Sequence, residues 1–209
     1  MTREPNDGPR AETIEIDAGG GASIAFDPTT ATVVIRSGRL ARILSLDEAL
    51  LLSFRRFHAP WRTVIARTLT HMGDAKSWTV AGLALLATGT QHGRHLGLRL
   101  GTASLLATGL SQALKRSLTR ARPDVSIAGF EALAQNPDRF SFPSGHTAAA
   151  FGVAVSFAGE PLGIGPLALL LAVGIALSRV YLGAHYPLDV GAGALLGVVA
   201  GLASRLLVS

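Results

Sequence analysis

The chain has 209 residues and a mass of 21.6 kDa, enough for one ordinary domain and too few for several independent cores. Hydrophobic residues make up 48% of it and charged residues only 16%, well below the roughly 25% of average soluble domains. A net charge of +5 and the absence of cysteine exclude an acidic disordered chain and a disulfide-built module. This basic, apolar, glycine-rich composition is typical of a helical membrane protein, and a nucleic-acid binder would not need so much apolar surface.

The first 40 residues differ from the rest of the chain. Thr13–Asp17 and Thr32–Arg36 alternate apolar and polar residues as strands do, and Gly19–Gly21 and Asp27-Pro28 interrupt the pattern. We therefore expect a polar tail or a small β-hairpin over residues 1–40, followed by a membrane domain over residues 41–209.

Two amphipathic segments open that second part, Leu46–His58 and Pro60–Met72. Both have a helical pattern but carry too many charged residues to cross a bilayer. They are expected to lie at the membrane surface with their arginines near lipid phosphates, or to form a solvated hairpin packed on the bundle.

Five apolar segments are predicted to be membrane-crossing helices, because a hydrocarbon core about 30 Å thick needs roughly 20 apolar residues per helix. Between residues 140 and 209 only Glu160, Arg179, Asp189 and Arg205 are charged, so a soluble monomer would expose too much apolar surface. The first and third segments are rich in small residues, which favours central positions in the bundle. The five segments are Ala75–Gln91, Leu96–Leu114, Ser144–Gly159, Ile164–Leu182 and Pro187–Val208. The predicted fold is therefore an all-α, polytopic transmembrane bundle of about five spans, with interfacial helices and a polar N-terminal tail.

Ionisable residues gather in three clusters at the ends of these spans, where their cost calls for a function. The clusters are Lys115–Pro123, Phe142–His146 and Ser178–Asp189. The second span ends, the third begins, the fourth ends and the fifth begins at these clusters. Five crossings therefore bring all three to the same face of the membrane.

The side chains in these clusters suit a phosphate group. Lys115, Arg122 and Arg179 can bind a dianion, and the arginine forks match phosphoryl oxygens. The segment Pro143–His146 opens a helix, where Ser144 can cap and free N–H groups favour an anion. Taken alone, the basic cluster is also typical of an interfacial flank.

Two histidines and one aspartate can supply a nucleophile and a proton donor. His185 and Asp189 are four residues apart, so Asp189 can accept from one ring nitrogen and fix the tautomer. The alternatives are a structural hydrogen-bonded pair, or a metal site with His146 as the third ligand. The nearby cations oppose a divalent metal. The other histidines, His58, His71, His92 and His95, are expected at the surface, because no partner pattern surrounds them.

In combination, the three clusters resemble the complete three-part signature of the type 2 phosphatidic acid phosphatase superfamily. The matching residues are Lys115, Arg122-Pro123, Pro143-Ser144-Gly145-His146, Ser178-Arg179, His185 and Asp189. The resemblance covers roughly residues 47–207. An opening span of the commoner six-span form is replaced here by the polar N-terminal segment.

The resemblance implies a phosphatase that needs no metal or other cofactor and acts on a membrane lipid phosphate through a phosphohistidine. It implies that His185 attacks phosphorus, that Asp189 orients His185 and stabilises its positive form, and that His146 protonates the leaving oxygen. Water then attacks the phosphohistidine.

The resemblance also implies a set of phosphate-binding residues. Lys115, Arg122 and Arg179 hold the phosphoryl group, helped by Ser144 and the Gly145 amide. The partners it implies are a lipid substrate and the bilayer, with no nucleic acid and no particular oligomeric state. Phosphatidic acid, phosphatidylglycerol phosphate, prenyl phosphates or diphosphates such as undecaprenyl diphosphate and prenyl-linked sugar phosphate, and lipid A phosphate are all candidate substrates. A lipid-to-lipid phosphotransferase and a non-catalytic lipid-binding protein are the alternative functions.

The predicted location is a cell membrane, in the manner of a bacterial inner-membrane protein. With five spans, every Lys and Arg except Arg94, Arg99 and Arg205 falls on the face that carries the motifs. Positive-inside bias places that face in the cytoplasm. Many bacterial relatives in the resembling family work on the extracytoplasmic face, which favours the opposite orientation.

Overall fold

The structure is a computed structural model that describes residues 14–17, 23–27, 32–36, 38–134, 138–161 and 163–208. Its contacts divide the chain into two compact units, Met1–Ala49 and Leu50–Ser209. The division falls inside a helix, further along the chain than the expected boundary at residue 40.

The N-terminal unit contains a small antiparallel sheet. Its strands are β1 (Ile14–Asp17), β2 (Ser23–Asp27) and β3 (Thr32–Arg36), in the order β1-β2-β3. Ile14 pairs with Phe26, and Phe26 in turn pairs with Val33. The sheet adds a strand, β2, between the two segments predicted to be extended.

Helices make up the rest of the described regular structure, and the second unit is all-helical, as predicted. They are α1 (Arg39–Phe54), α2 (Pro60–Met72), α3 (Ala75–Ala87), α4 (Gln91–Ser117), α5 (Pro123–Ser126), α6 (Gly145–Ser156), α7 (Ile164–Tyr181) and α8 (Pro187–Leu207), with a 3₁₀ turn at Arg55–Phe57. The predicted spans correspond to α3, α4, α6, α7 and α8. Helix α4 begins before the predicted Leu96 because Thr90 caps it, accepting a hydrogen bond from the Gly93 amide at 3.0 Å.

Helix α6 lies at the centre of the bundle, as its small residues predicted. Eight of its residues are buried, and it packs against α4, α7 and α8. The same prediction was wrong for α3, where Trp78 and Gly82 are the buried residues while Val80 and Leu83 are well exposed. Small residues permit close packing, but α3 uses them on one side only, against α4.

Close contact between α6 and α8 depends on glycines along one side of α8. Gly193, Gly197 and Gly201 recur every four residues and so lie on one helix face. A Cβ atom at Gly197 would lie 2.5 Å from the carbonyl oxygen of Ala148, and one at Gly201 would lie 2.6 Å from that of Gly152. Backbone sits against backbone here, so α8 has no room for a side chain on this face.

The end of the bundle that lacks the motifs is tied together by polar contacts. Arg99 donates to Glu160 at 3.1 Å and to the carbonyl of Val208 at 3.0 Å, and Ser204 donates to the carbonyl of Arg99 at 2.9 Å. The start of α4, the loop after α6 and the end of α8 therefore meet at one end. This agrees with the up-and-down order that the five segments require.

Two of the described helices, α7 and α8, are long and apolar enough to cross a membrane. Their outward residues are apolar and exposed, including Leu170 at 70%, Leu195 at 71% and Leu206 at 83%. The predicted five are not all found, because α3 and α6 are only 13 and 12 residues long and α4 is too polar on average, with Arg99 inside its apolar stretch.

The glycine contact gives a test of the packing. Replacing Gly197 with Ala puts a methyl group against the α6 backbone and should destabilise the fold by about 1–3 kcal/mol. Gly191→Ala is the matched control on the same helix, because nothing lies within 4 Å of a Cβ there. Thermal unfolding in detergent should show a lower midpoint for Gly197→Ala and an unchanged or higher one for Gly191→Ala. Equal midpoints would contradict the close contact.

Candidate active site

The three predicted clusters meet at one end of the bundle. Lys115 lies in the last turn of α4, Arg122 precedes α5, and Arg179 lies in the last turn of α7. Ser144 precedes α6, with Gly145 and His146 in its first turn. His185 lies in the α7–α8 connection and Asp189 in the first turn of α8.

Six of the predicted residues line one cavity of about 170 Å³. They are Lys115, Arg122, Gly145, His146, Arg179 and His185. Ser144 and Asp189 do not line it and are fully buried behind its wall. Lys115, Arg122 and Arg179 are buried too, which for cations requires nearby partners or an anion.

Asp138 binds two of the three cations, although it stands in none of the predicted clusters. Its carboxylate accepts from Lys115 Nζ at 2.6 Å and from Arg122 Nη2, and its main-chain carbonyl accepts from Arg122 Nε at 2.8 Å. Burial raises the pKa of Asp138, but the hydrogen bonds from Lys115 and Arg122 outweigh it and hold the pKa below its ordinary value. The carboxylate is therefore ionised at neutral pH and lines the same cavity.

His185 faces the cations through Nε2. This atom lies 3.4 Å from Arg122 Nη1, which also donates to the carbonyl of Ala184 at 2.6 Å and so fixes the backbone beside the histidine. Burial lowers the pKa of His185 well below its ordinary value, and the charges of Arg179, Arg122 and Lys115 lower it further. The imidazole is therefore neutral, which is the nucleophilic form.

Asp189 lies beside His185 but is held mainly by other groups. The distance from His185 Nδ1 to Asp189 Oδ2 is 3.7 Å, too long for the predicted hydrogen bond. Asp189 instead accepts from the Tyr186 amide at 2.9 Å and from Arg120 Nη1 at 2.8 Å. Arg120 belongs to the basic cluster but was not among the predicted site residues, and it also stacks over the Tyr186 ring at 3.9 Å.

Ser144 occupies the position before α6, where it was predicted to cap the helix. Its side chain makes no capping hydrogen bond. Its hydroxyl is 3.0 Å from Thr147 Oγ1, and its own amide donates to the carbonyl of Asp189 at 3.0 Å. No side-chain cap satisfies the N–H groups at the start of α6. They remain suited to an anion at the cavity wall beside Gly145.

His146 is bonded to a carboxylate that no sequence motif marked. Its Nε2 atom lies 2.7 Å from Asp74 Oδ1, and Asp74 Oδ2 lies 3.1 Å from His71 Nδ1. His71 is largely exposed, as predicted, but its partner was missed. A second cavity of about 350 Å³ adjoins on this side, lined by Arg67, Thr70, His71, Asp74, His146 and Arg179 among others.

Within the described parts of the chain, no group of three or more His, Cys, Asp or Glu side chains is placed to hold a metal ion. The polar groups at the site instead form cation–carboxylate and imidazole–carboxylate pairs. Arg179 Nη1 adds a hydrogen bond to Thr70 Oγ1 at 2.5 Å, which joins α7 to α2. This arrangement can bind a doubly charged anion beside one neutral imidazole and one carboxylate-bound imidazole.

Comparison with known proteins places this site in a family. The model of the PAP2 superfamily matches residues 96–209. A decaprenylphosphoryl-5-phosphoribose phosphatase of Mycobacterium tuberculosis is 33% identical over 78% of this chain and 87% of its own length. Phosphatidylglycerophosphatase B of Bacillus subtilis is 30% identical over 75% of this chain and 80% of its own.

Two solved structures are also similar to this chain. The crystal structure of Aquifex aeolicus LpxE has a TM-score of 0.66 and 30% identity, covering 76% of this chain and 94% of its own. The transmembrane PAP2-type phosphatidylglycerolphosphate phosphatase of Bacillus subtilis has a TM-score of 0.64 and 27% identity, covering 79% of this chain and 86% of its own. The family resemblance seen in the motifs is thus confirmed, and the chain is a phosphatase that belongs to the PAP2 superfamily.

Proposed function

We propose that this phosphatase hydrolyses a lipid phosphate or diphosphate without a metal, through a phosphohistidine on His185. The observation that carries the proposal is that one cavity is lined by the three cations and by two histidines. These residues are Lys115, Arg122, Arg179, His146 and His185. Phosphoryl transfer needs mainly positioning and charge stabilisation, and these groups supply both.

The phosphoryl group binds where the cations converge. Lys115, Arg122 and Arg179 neutralise its charge, and the first-turn amides of α6 beside Gly145 donate to its oxygens. Ser144 acts from behind the wall, since its amide ties the start of α6 to Asp189. The incoming dianion competes with the Asp138 carboxylate for Lys115 and Arg122.

The reaction then proceeds in two steps. In the first, Nε2 of His185 forms a bond to phosphorus, the bond from phosphorus to the lipid oxygen breaks, and His146 gives its proton to that oxygen. In the second, His146 takes a proton from water, the water oxygen bonds to phosphorus, and the P–N bond breaks. Asp189 stabilises the positive imidazole between the steps, closing its 3.7 Å distance to Nδ1 as charge develops.

The relatives indicate the class of substrate. They include a decaprenylphosphoryl-5-phosphoribose phosphatase and phosphatidylglycerophosphatase B. A putative undecaprenyl-diphosphatase of Escherichia coli is 35% identical over 54% of this chain and 58% of its own length. We infer that the substrate carries a terminal phosphate on an isoprenoid or glycerolipid anchor.

We also propose that α3, α4 and α6 cross the membrane together with α7 and α8. Helix α4 has 27 residues, which span about 40 Å, and α6 is short but enclosed by its neighbours. The active-site end then carries most of the basic residues, which supports a cytoplasmic site in a bacterial inner membrane.

Replacing His185 with Ala removes the proposed nucleophile and should lower kcat at least about 10³-fold. Two quantities are measured. One is the phosphate released from a lipid phosphate, and the other is the phosphate that stays bound to the protein after an alkaline quench. His95→Gln is the control, because His95 lies at the far end of α4. Retained turnover in folded His185→Ala protein would contradict the assigned nucleophile.

Chelation tests the metal-independent mechanism. Purified protein assayed with EDTA should release inorganic phosphate from at least one member of a panel holding phosphatidic acid, phosphatidylglycerol phosphate, and prenyl phosphates and diphosphates. The rate should equal that without EDTA, because the cations of the site are protein side chains. Loss of activity under chelation, restored by added Mg²⁺, would contradict this mechanism.

The orientation can be tested because the chain has no cysteine. Ala128→Cys lies near the active-site end, and Gln91→Cys lies at the opposite end, where α4 begins. An impermeant thiol reagent applied to intact cells should label Gln91→Cys and leave Ala128→Cys unlabelled. The reverse pattern would place the active site outside the cytoplasm.

A further inference from the structure

We propose that Asp74 is a positioning residue for His146, holding its Nε2 and giving the imidazolium a negative partner so that Nδ1 can protonate the leaving oxygen. This inference rests on the proposed function, because it assigns Asp74 a role through the proposed general acid.

The geometry fixes Asp74 tightly. The residue stands immediately before α3, its amide donates to the carbonyl of His71 at 3.1 Å, and its own carbonyl accepts from the Trp78 amide at 3.2 Å. Its two carboxylate oxygens are used separately, Oδ1 at 2.7 Å from His146 Nε2 and Oδ2 at 3.1 Å from His71 Nδ1. The carboxylate therefore links the end of α2 to the first turn of α6.

Gly73 lets this junction come close to the histidine. A Cβ atom at this position would lie 2.8 Å from Ile175 Cγ2 and 3.3 Å from His146 Cδ2. The backbone of the α2–α3 turn thus runs directly along the His146 ring, which allows the short side chain of Asp74 to reach Nε2.

Charge explains why His146 needs such a partner. The groups around it are mostly cationic or basic: Lys115 from α4, Arg122 before α5, Arg179 from α7, His185 before α8, and Arg67 and His71 from α2. These charges oppose an imidazolium, which is the state a general acid must hold before it gives up its proton.

Two carboxylates line the described walls of the two cavities, Asp74 and Asp138. Asp138 binds Lys115 and Arg122, whereas Asp74 binds His146. Burial raises the pKa of Asp74, but the hydrogen bonds from His71 and His146 outweigh it and hold the pKa below its ordinary value. Asp74 is therefore ionised at neutral pH.

The proton path follows from the two ring nitrogens. With Nε2–H donated to Asp74, the transferable proton sits on Nδ1, which has no hydrogen-bond partner in the described regions of the structure. When Nδ1–H passes to the leaving oxygen, His146 becomes the neutral Nε2–H tautomer and keeps its bond to Asp74. Neither the ring nor the carboxylate has to move during the transfer.

The dependence on the leaving group is the test. A lipid alkoxide must be protonated as it departs, whereas p-nitrophenolate departs readily without a proton. Asp74→Asn should therefore lower kcat on the lipid phosphate about 10–100-fold with little change in KM, and lower kcat on p-nitrophenyl phosphate by less than about threefold. The basic limb of its pH–rate profile on the lipid substrate should move to lower pH, because loss of the carboxylate makes His146 release its proton more easily.

Three variants complete the experiment. Asp124→Asn removes an exposed carboxylate on α5 and should match the wild type on both substrates. Asp74→Glu keeps the charge and should restore part of the lipid activity. His71→Gln leaves Asp74 in place and removes a basic group that competes with His146 for its carboxylate, so the basic limb should move to higher pH by a smaller amount. This opposite shift keeps the inference testable even if Asp74→Asn fails to fold.

The outcomes separate cleanly. Equal losses on both substrates with an unshifted pH profile, in Asp74→Asn or in His71→Gln, would show a merely structural role and overturn the inference. A wild-type protein inactive on every lipid phosphate would overturn the proposed function, and this inference with it. Wild-type activity combined with an unaffected Asp74→Asn would overturn the inference alone.

Discussion

The site depends on how closely α6 and α8 approach each other. The glycine face of α8 brings its backbone against α6, and the amide of Ser144 donates to the carbonyl of Asp189 at 3.0 Å. That single hydrogen bond joins the first turns of both helices, and with them the second and third motifs. A longer distance between the helices would leave His146 and His185 on separate surfaces rather than on one cavity wall.

Around this junction, charge is balanced locally. Asp138 binds Lys115 and Arg122, Asp189 binds Arg120, and Asp74 binds His146. Burial of an ionisable group is unfavourable in free energy unless the group is paired. Each carboxylate therefore stabilises its cationic neighbour in a partly apolar bundle. The same pairing holds the pKa of Asp138 and of Asp74 below the ordinary value, and so links the stability of the fold to its chemistry.

Much of this was predictable from the sequence. The five helices were predicted from apolar segments, a property that depends only on the local sequence. They appear within a few residues of the predicted bounds. The convergence of the motif residues follows from the number of crossings alone, because each crossing takes the chain to the opposite end of the bundle. The central place of α6 follows from its small residues.

The partners of those residues were not predictable in the same way. Asp74 lies in a turn between two helices and Asp138 in a long connection, and neither stands at a recognisable spacing from the residue it binds. Arg120 has the sequence context of an interfacial flank, yet its side chain reaches Asp189. Such pairs are set by tertiary packing between distant segments, which no local pattern encodes.

The carboxylate of Asp138 has a consequence for which anions the cavity admits. Any incoming anion must share or displace a carboxylate already bonded to two cations. The attraction of those cations for the incoming anion, which drives this displacement, grows with the anion's own charge. A terminal phosphate with two charges meets that condition far better than the singly charged phosphodiesters that abound in a bilayer.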